Sequence, residues 1–232
     1  MGHASLFSPG EALMALPPAI ICIGRNYADH AAELGNDVLE HLIVFFKNPG
    51  SLCGPTDTIR IPSICRHPSP QVDFEGELAV RISRDARDVA VEDAFDYVEG
   101  YAVANDVSAR WWQKHGSGGQ YCRGKSFDTF CPISEFVPVQ DIRDPQGLHL
   151  KTWVNGELVQ SASTGTMIFP IAEMISDLSR GMTLAAGTIL LTGTPAGVGA
   201  GREPQLFLKD GDTVEVEIDG IGRLSNPVIE EA

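Results

Sequence analysis

The sequence has no long apolar run and comparatively few basic residues. No stretch approaches the roughly 20 apolar residues that a membrane-spanning helix needs. The apolar run from Ala12 to Ile23 is broken by Pro17 and Pro18 and follows no basic segment, so it does not resemble a signal peptide. Only 17 Lys and Arg stand against 31 Asp and Glu, a formal net charge of -14. This balance argues against nucleic acid or an anionic membrane as a partner.

Paired cysteine spacing is also missing. The five cysteines are odd in number, and no two form a C-x-x-C motif. Free thiols in a reducing cytoplasm are the simplest interpretation, and a structural zinc site is disfavoured for the same reason. We therefore expect a cytoplasmic protein.

The length of 232 residues suits one large domain or two small ones. The 24 glycines and 15 prolines indicate many turns, and no repeat or linker interrupts the chain. We expect a short lead-in over residues 1–19 and a single β-rich domain over residues 20–232.

The segment Val72–Val80 alternates apolar and acidic residues with the period of a β-strand. Asp73, Glu75 and Glu77 share one face of that strand. Two glutamates one residue apart cannot both stay ionised in a poorly solvated site without a cation. The segment therefore predicts either a solvated face or a cation site in a cleft.

A second polar group lies near the N-terminus. After a predicted strand at Ile20–Gly24, Asn26 could cap a short helix that Gly35 would end. On that helix His30 and Glu33 are three residues apart and share a face, as in a histidine base oriented by a carboxylate. A surface helix with a local His–Glu contact is the alternative.

Further charged residues lie at or after the ends of later predicted strands. Lys47 ends an apolar strand, where a solubilising edge charge is the ordinary interpretation. Asp106 ends the apolar strand 100–106, and Arg110 follows about one turn later on a predicted helix, Ser108–His115. Lys125 lies among aromatic residues and could simply pair with Asp128.

The C-terminal half is rich in turns. Asn155-Gly156 predicts a type I′ hairpin, and a helix is expected over residues 169–180. A strand over residues 188–192 runs into the loop Gly193–Gly199, which contains Thr194. That loop could offer backbone N–H groups and hydroxyls to an anion, or it could be a structural turn.

Together these motifs resemble the fumarylacetoacetate hydrolase family. Five of them occur in the same order over about residues 20–229. The matching stretches are Gly24-Arg25-Asn26-Tyr27 through His30 and Glu33, Phe74-Glu75-Gly76-Glu77-Leu78, Asn105-Asp106-Val107-Ser108-Ala109-Arg110, Gly124-Lys125-Ser126-Phe127-Asp128, and Thr192-Gly193-Thr194-Pro195-Ala196-Gly197-Val198-Gly199.

The resemblance implies an α+β, β-rich fold: a mixed β-sheet roll of the family's C-terminal type, with small peripheral helices, in a homodimer. It also implies a divalent cation on Glu75, Glu77 and Asp106. Three carboxylates without Cys or His ligands select a hard ion, Mg²⁺ first, with Mn²⁺ or Ca²⁺ as substitutes.

The chemistry that the resemblance implies is cleavage of a C–C bond in 2,4-dioxo acids. Because an extra N-terminal domain is missing, the chain is more similar to acylpyruvate hydrolases, with substrates such as fumarylpyruvate. His30, oriented by Glu33, would deprotonate the attacking water, and Lys125 would stabilise the oxyanion or protonate the leaving carbon. The substrate anion would be received by four residues: Arg25, Lys47, Arg110 and Thr194.

Other activities share the same metal motif. Decarboxylation of oxaloacetate-like acids and isomerisation or hydration of 2-oxo-enoic acids also proceed through an enolate. The pair His30 and Glu33 favours hydrolysis, because that reaction needs an activated water. A non-catalytic metal-binding domain is a further hypothesis, which the presence of Lys125 and of the His–Glu pair disfavours.

Overall fold

The computed structural model describes residues 16–33 and 40–232; the side chains of residues 30–32 lie outside this description. The described chain is mostly β-structure. The strands are β1 Ile20–Gly24, β2 Ile43–Lys47, β3 Leu52–Cys53, β4 Ile59–Ile61, β5 Val72–Asp73, β6 Gly76–Ile82, β7 Val98–Asn105, β8 Ser108–Ala109, β9 Cys131–Pro132, β10 Val137–Pro138, β11 His149–Val154, β12 Glu157–Ser163, β13 Ile189–Leu191, β14 Thr213–Ile218 and β15 Gly222–Glu230.

Helical structure is short and peripheral to these strands. The α-helices are α1, Ala28–Glu33, and α2, Ile171–Ser179, and a π-helical turn covers Trp112–Gly116. The 3₁₀ turns are Pro49–Ser51, Ser63–Arg66, Val91–Tyr97, Cys122–Lys125, Val139–Asp141, Thr164–Thr166 and Gly199–Gly201. No helix in the described ranges is long and apolar enough to cross a membrane.

Two mixed sheets form the body of the fold. The six-stranded sheet has the order β10-β7-β6-β13-β1-β2, and the five-stranded sheet has the order β12-β11-β14-β15-β4. In each sheet one neighbouring pair is parallel, β1 with β13 and β15 with β4. Two short pairs, β3 with β9 and β5 with β8, complete the described strands.

The core lies between the two sheets and under α2. Alternating residues of β6, such as Leu78 and Val80, pack against Leu150 and Val216 of the second sheet. At Gly76 the two sheets approach each other closely, because a Cβ there would lie 2.3 Å from the hydroxyl oxygen of Thr152 in the second sheet. The strand that carries the acidic residues is therefore fixed by the packing of both sheets.

The predicted fold class, α+β and β-rich with mixed sheets and small helices, is confirmed. The strand Ile20–Gly24 has the predicted bounds. The hairpin turn has φ of 51° at Asn155 and 81° at Gly156, as a type I′ turn requires. Helix α2 lies within its predicted range.

Two local predictions are wrong. The segment Val72–Val80 is not one strand: it breaks at Phe74 and Glu75, because the Glu75 N–H donates to the Asn105 side chain instead of to a strand. The range 108–115 begins as β8 and continues into the π-helical turn Trp112–Gly116.

Asn26 does not cap α1. Its side-chain amide donates to the carbonyl oxygens of Thr192 and Phe169, and its Oδ1 accepts from the Phe169 N–H. Asn26 therefore ties the start of α1 to the strand β13 and to the approach to α2. Gly35, the predicted end of the helix, lies outside the described residues.

Candidate metal centre and adjoining cavity

Three buried carboxylates converge at one end of β6 and β7. Each of Glu75, Glu77 and Asp106 offers an oxygen atom, and these atoms lie within 4.8 Å of one another. Strands β6 and β7 pair antiparallel with Gly76 opposite Asn105, so the residues flanking this pair meet. Glu75 precedes β6, Glu77 lies near its start and Asp106 follows β7, so the three carboxylates form one triad.

The negative charge of Glu77 is only partly compensated by its surroundings. Burial raises the pKa of Glu77 well above its usual range, and the nearby carboxylates of Asp106 and Glu75 add to the rise. The Gly193 N–H donates to Glu77 at 2.8 Å and Lys125 lies nearby, but these contacts oppose the rise only in part. A buried carboxylate with this environment gains most from a cation.

Three basic side chains surround the triad. Lys125 Nζ lies 2.7 Å from both Glu75 Oε2 and Asp106 Oδ2. Lys47 Nζ lies 2.5 Å from Asp106 Oδ1, and Arg110 Nη1 lies 2.6 Å from Glu75 Oε1. Lys47 and Arg110 were predicted to receive the substrate anion and Lys125 to act on the oxyanion or the leaving carbon; those roles stay predictions, and all three side chains contact the triad carboxylates.

The donor set fits a hard divalent ion. The three oxygen ligands come without Cys Sγ or His nitrogen in the group, which favours Mg²⁺, Mn²⁺ or Ca²⁺ over softer metals. Burial alone would lower the pKa of Lys125, but Asp106 and Glu75 outweigh it and raise the pKa above its ordinary value. Lys125 therefore stays a cation beside the triad and does not pair with Asp128.

Asp73, on the same face as the two glutamates, belongs to this cluster but does not join the triad. Its Oδ2 accepts from Arg110 Nε at 2.8 Å, and Arg110 Nη2 is equally close. Its carboxylate also accepts from the N–H groups of Gly199 and Ala200, at 2.7 and 2.9 Å. Asp73 thus connects the guanidinium next to Glu75 with the far end of the Gly193–Gly199 loop.

That loop is held on the strand of the triad by side chains. Thr194 donates its hydroxyl hydrogen to the Gly76 carbonyl at 2.9 Å and accepts from Gln160 at 2.8 Å. Gln160 also accepts from the Gly76 N–H at 3.0 Å. The Thr194 hydroxyl hydrogen is therefore engaged by the protein. Thr194 lines the cavity, and its predicted contact with the substrate anion stays a prediction.

Helix α1 lies against the same loop. The Glu33 carboxylate accepts from the Gly197 N–H at 3.0 and 3.1 Å. A Cβ at Gly201 would lie 2.4 Å from the Glu33 carboxyl carbon, so a side chain there would displace the end of Glu33. Glu33 therefore anchors α1 beside Thr194. His30 belongs to the same helix, and its side chain is not among those that the structure describes.

A cavity of about 200 Å³ adjoins the triad. Its wall combines charged groups with an apolar side formed by Ile23 and Phe45. Five of its polar residues belong to the sequence motifs, and three others were not suggested by them. They are Arg25, Glu75, Arg110, Gln113, Lys114, Tyr121, Lys125 and Thr194.

Sequence reasoning missed Gln113, Lys114, Tyr121 and Gln160. Gln113 is buried and accepts from Arg110 at 3.1 Å. The three-residue separation of Arg110 and Gln113 was a signal that both share a helical face. Gln160 gave no such signal, because it reaches Gly76 and Thr194 from β12 in the other sheet.

Comparison with known proteins places these features in a family. The model of the fumarylacetoacetate (FAA) hydrolase C-terminal domain matches residues 19–229. Oxaloacetate tautomerase fahd2 of Xenopus laevis, a mitochondrial protein by its name, is 47% identical over 92% of this chain, which spans 66% of that protein. Oxaloacetate tautomerase YisK of Bacillus subtilis is 47% identical over 90% of this chain and 69% of its own length.

Solved structures agree with the sequence relatives. Fumarylacetoacetate hydrolase from Exiguobacterium antarcticum is 44% identical and has a TM-score of 0.82, covering 93% of this chain and 76% of that one. Since the relatives include mitochondrial proteins, the cytoplasmic location expected for this chain stays a prediction.

Proposed function

The chain belongs to the fumarylacetoacetate hydrolase family, and we propose that it is a divalent-metal-dependent enzyme that interconverts the keto and enol forms of a small 2-oxo acid, such as oxaloacetate. The observation that carries this proposal is the buried triad of Glu75, Glu77 and Asp106, of which Glu75 lines a small cavity with a basic wall. The substrate comes from the names of the tautomerases to which the chain is similar.

The size of the cavity favours a small acid. Sites for drug-sized ligands enclose about 300–1,000 Å³, whereas this cavity measures about 200 Å³. A four-carbon oxo acid suits that volume better than an acylpyruvate with a long acyl group. For this reason, and because of the names of the relatives, we place tautomerisation ahead of the hydrolysis that the sequence motifs favour.

The reaction moves one proton. A hydrogen leaves C3 as a proton, its electron pair forms the C2–C3 double bond, and the C2 carbonyl oxygen becomes the enol oxygen and takes up a proton. Glu75, Glu77 and Asp106 would hold a divalent cation, Mg²⁺ in our proposal, which would supply a Lewis acid for the negative charge on that oxygen.

The residues of the chain divide the remaining tasks. Lys125 places a second positive charge beside the triad, where the enolate oxygen develops charge. Arg110 and Lys47 neutralise Glu75 and Asp106, so that an anionic substrate can enter. His30 is our candidate for the group that carries the proton, because α1 is anchored by Glu33 beside the cavity residue Thr194.

Hydrolysis of 2,4-dioxo acids is the second candidate. The same position of α1 at the loop favours it, since His30 could deprotonate a water as well as a carbon acid. Decarboxylation of oxaloacetate needs no such base and is supported by no separate contact among the described residues.

One experiment separates these activities. The protein is incubated with Mg²⁺ and either oxaloacetate, acetylpyruvate, fumarylpyruvate or a 2-oxo-enoic acid, as wild type and as His30→Ala. Tautomerase activity gives faster loss of the enol absorbance of oxaloacetate without release of pyruvate. Release of pyruvate and a carboxylic acid from either acylpyruvate, lost in His30→Ala, would replace our proposal by the hydrolase. Absence of any metal-dependent turnover in the panel would refute both.

We also propose that the family's dimer forms in this protein and that residues 20–232 act as one catalytic domain. Light scattering after size-exclusion chromatography tests the first point. A mass near 25.0 kDa, that of one chain, would contradict it.

A further inference from the structure

Two basic side chains in the wall of the cavity have no carboxylate partner in the described part of the chain. The guanidinium of Arg110 and the ammonium of Lys125 are held by Asp73, Glu75 and Asp106. Arg25 and Lys114 line the same cavity without an ion pair to any described residue. Their charges are therefore available to a ligand.

Arg25 is held in an unusual conformation. Its φ is 55°, in the left-handed region that residues other than glycine and asparagine seldom adopt. The next residue fixes the backbone, because Asn26 is bonded through its side chain to Thr192 and Phe169. The Nε of Arg25 is buried and has no hydrogen-bond partner among the described residues. Strained residues that the surroundings hold in place cluster at ligand sites.

Lys114 reaches the cavity from a second element. It lies in the π-helical turn Trp112–Gly116, a kind of turn that is frequent at functional sites. Its neighbour Gln113 is buried against Arg110, which fixes the turn at the wall. The Lys114 side chain itself is exposed, so it is free to move toward an anion at the cavity.

We propose that Arg25 and Lys114 bind the distal carboxylate of the substrate and thereby select dicarboxylic over monocarboxylic 2-oxo acids. This inference rests on the proposed function. Around the triad, Asp73 and the three ligands outnumber Lys47, Arg110 and Lys125 by one charge, and a divalent ion reverses the balance to a single positive charge. That balance suits one carboxylate of the substrate. A second carboxylate needs cations of its own, and these two residues supply them.

The test compares two substrates that differ only at the distal group. Oxaloacetate and 2-oxobutanoate are each incubated with the Mg²⁺-loaded protein in D₂O, and exchange of the C3 hydrogens is followed by NMR above the uncatalysed rate. We expect Arg25→Asn and Lys114→Gln each to lower the ratio of kcat/KM for oxaloacetate to that for 2-oxobutanoate by about tenfold or more, mainly through KM. Lys209→Gln, an exposed lysine outside the cavity wall, removes the same charge and should leave the ratio unchanged.

Arg25→Asn also tests the strain. Asparagine tolerates the left-handed region, so this variant should melt at or above the temperature of the wild type while losing selectivity. If Arg25→Asn fails to fold, Lys114→Gln alone tests the inference, because the exposed Lys114 side chain can be replaced without disturbing the core. An active wild type whose ratio is unchanged in Lys114→Gln and in folded Arg25→Asn overturns this inference alone. A wild type that exchanges neither substrate overturns the proposed function, and this inference with it.

Discussion

Arg110 and Asp73 form a buried ion pair in which the guanidinium Nε and Nη2 atoms both lie 2.8 Å from Asp73 Oδ2. The third nitrogen, Nη1, lies 2.6 Å from Glu75. One carboxylate therefore sets the direction in which Arg110 meets a residue of the triad, and the same carboxylate receives the N–H groups of Gly199 and Ala200.

Removing the charge of Asp73 should weaken both the fold and the site. Asp73→Asn leaves the buried guanidinium with one negative neighbour fewer, so we expect the free energy of unfolding to fall by about 3 kcal/mol. With Arg110 less constrained beside Glu75, affinity for Mg²⁺ should fall as well. Urea unfolding and calorimetric titration measure the two effects. Asp177→Asn, in an exposed pair with Arg180, is the control and should change stability by less than about 0.5 kcal/mol; an equal loss in both variants would contradict the role of Asp73.

Gly76 should not tolerate a side chain. In Gly76→Ala the new Cβ would lie 2.3 Å from Thr152 Oγ1 and 3.0 Å from Val216 Cγ1, which forces the strand of the triad away from the second sheet. We expect a loss of about 1–3 kcal/mol of stability and weaker Mg²⁺ binding.

The double variant Gly76→Ala/Thr152→Ala tests the cause of that loss. Removal of the hydroxyl relieves the shorter contact, so the double variant should be more stable than the sum of the two single changes predicts. Strict additivity in thermal unfolding would mean that the Thr152 contact does not limit residue 76.

Thiol reactivity should single out Cys122. Burial raises the pKa of Cys65 and of Cys131 to about 12, and Cys22 and Cys53 are buried as well. At pH 8 these four thiols should therefore react slowly. We expect one fast-reacting thiol per native chain in a disulfide-exchange assay, none in Cys122→Ser and five in guanidinium chloride. Fast modification of several thiols in the native protein would contradict this burial.

The sequence predicted the acidic triad because its signal is local. Glu75 and Glu77 lie on one face of a segment with strand periodicity, and Asp106 ends the next long apolar strand. Antiparallel pairing of consecutive strands is common, and it brings these three together. The order of the motifs along the chain then identified the fold.

The remaining contacts depend on long-range geometry that periodicity does not encode. Lys125 is three residues from Asp128 in sequence, but in the fold it meets Glu75, 50 residues away. The predicted acidic strand breaks at Glu75, because its backbone N–H donates to the Asn105 side chain and not to a neighbouring strand. Gln160 reaches Gly76 from the opposite sheet. Each of these follows from the packing of two sheets and not from a local pattern.

Binding of a divalent ion to the chelator-treated protein tests the central claim most directly. Calorimetric titration of Mg²⁺ into the wild type should give one site per chain, and saturation at 100 times the dissociation constant should stabilise the protein by about 2.7 kcal/mol. Glu77→Gln should remove this site and its thermal shift, because the carboxylate that gains most from a cation is lost. Equal Mg²⁺ binding by Glu77→Gln and wild type, or no binding by either, would contradict the assignment of Glu75, Glu77 and Asp106 as a metal centre.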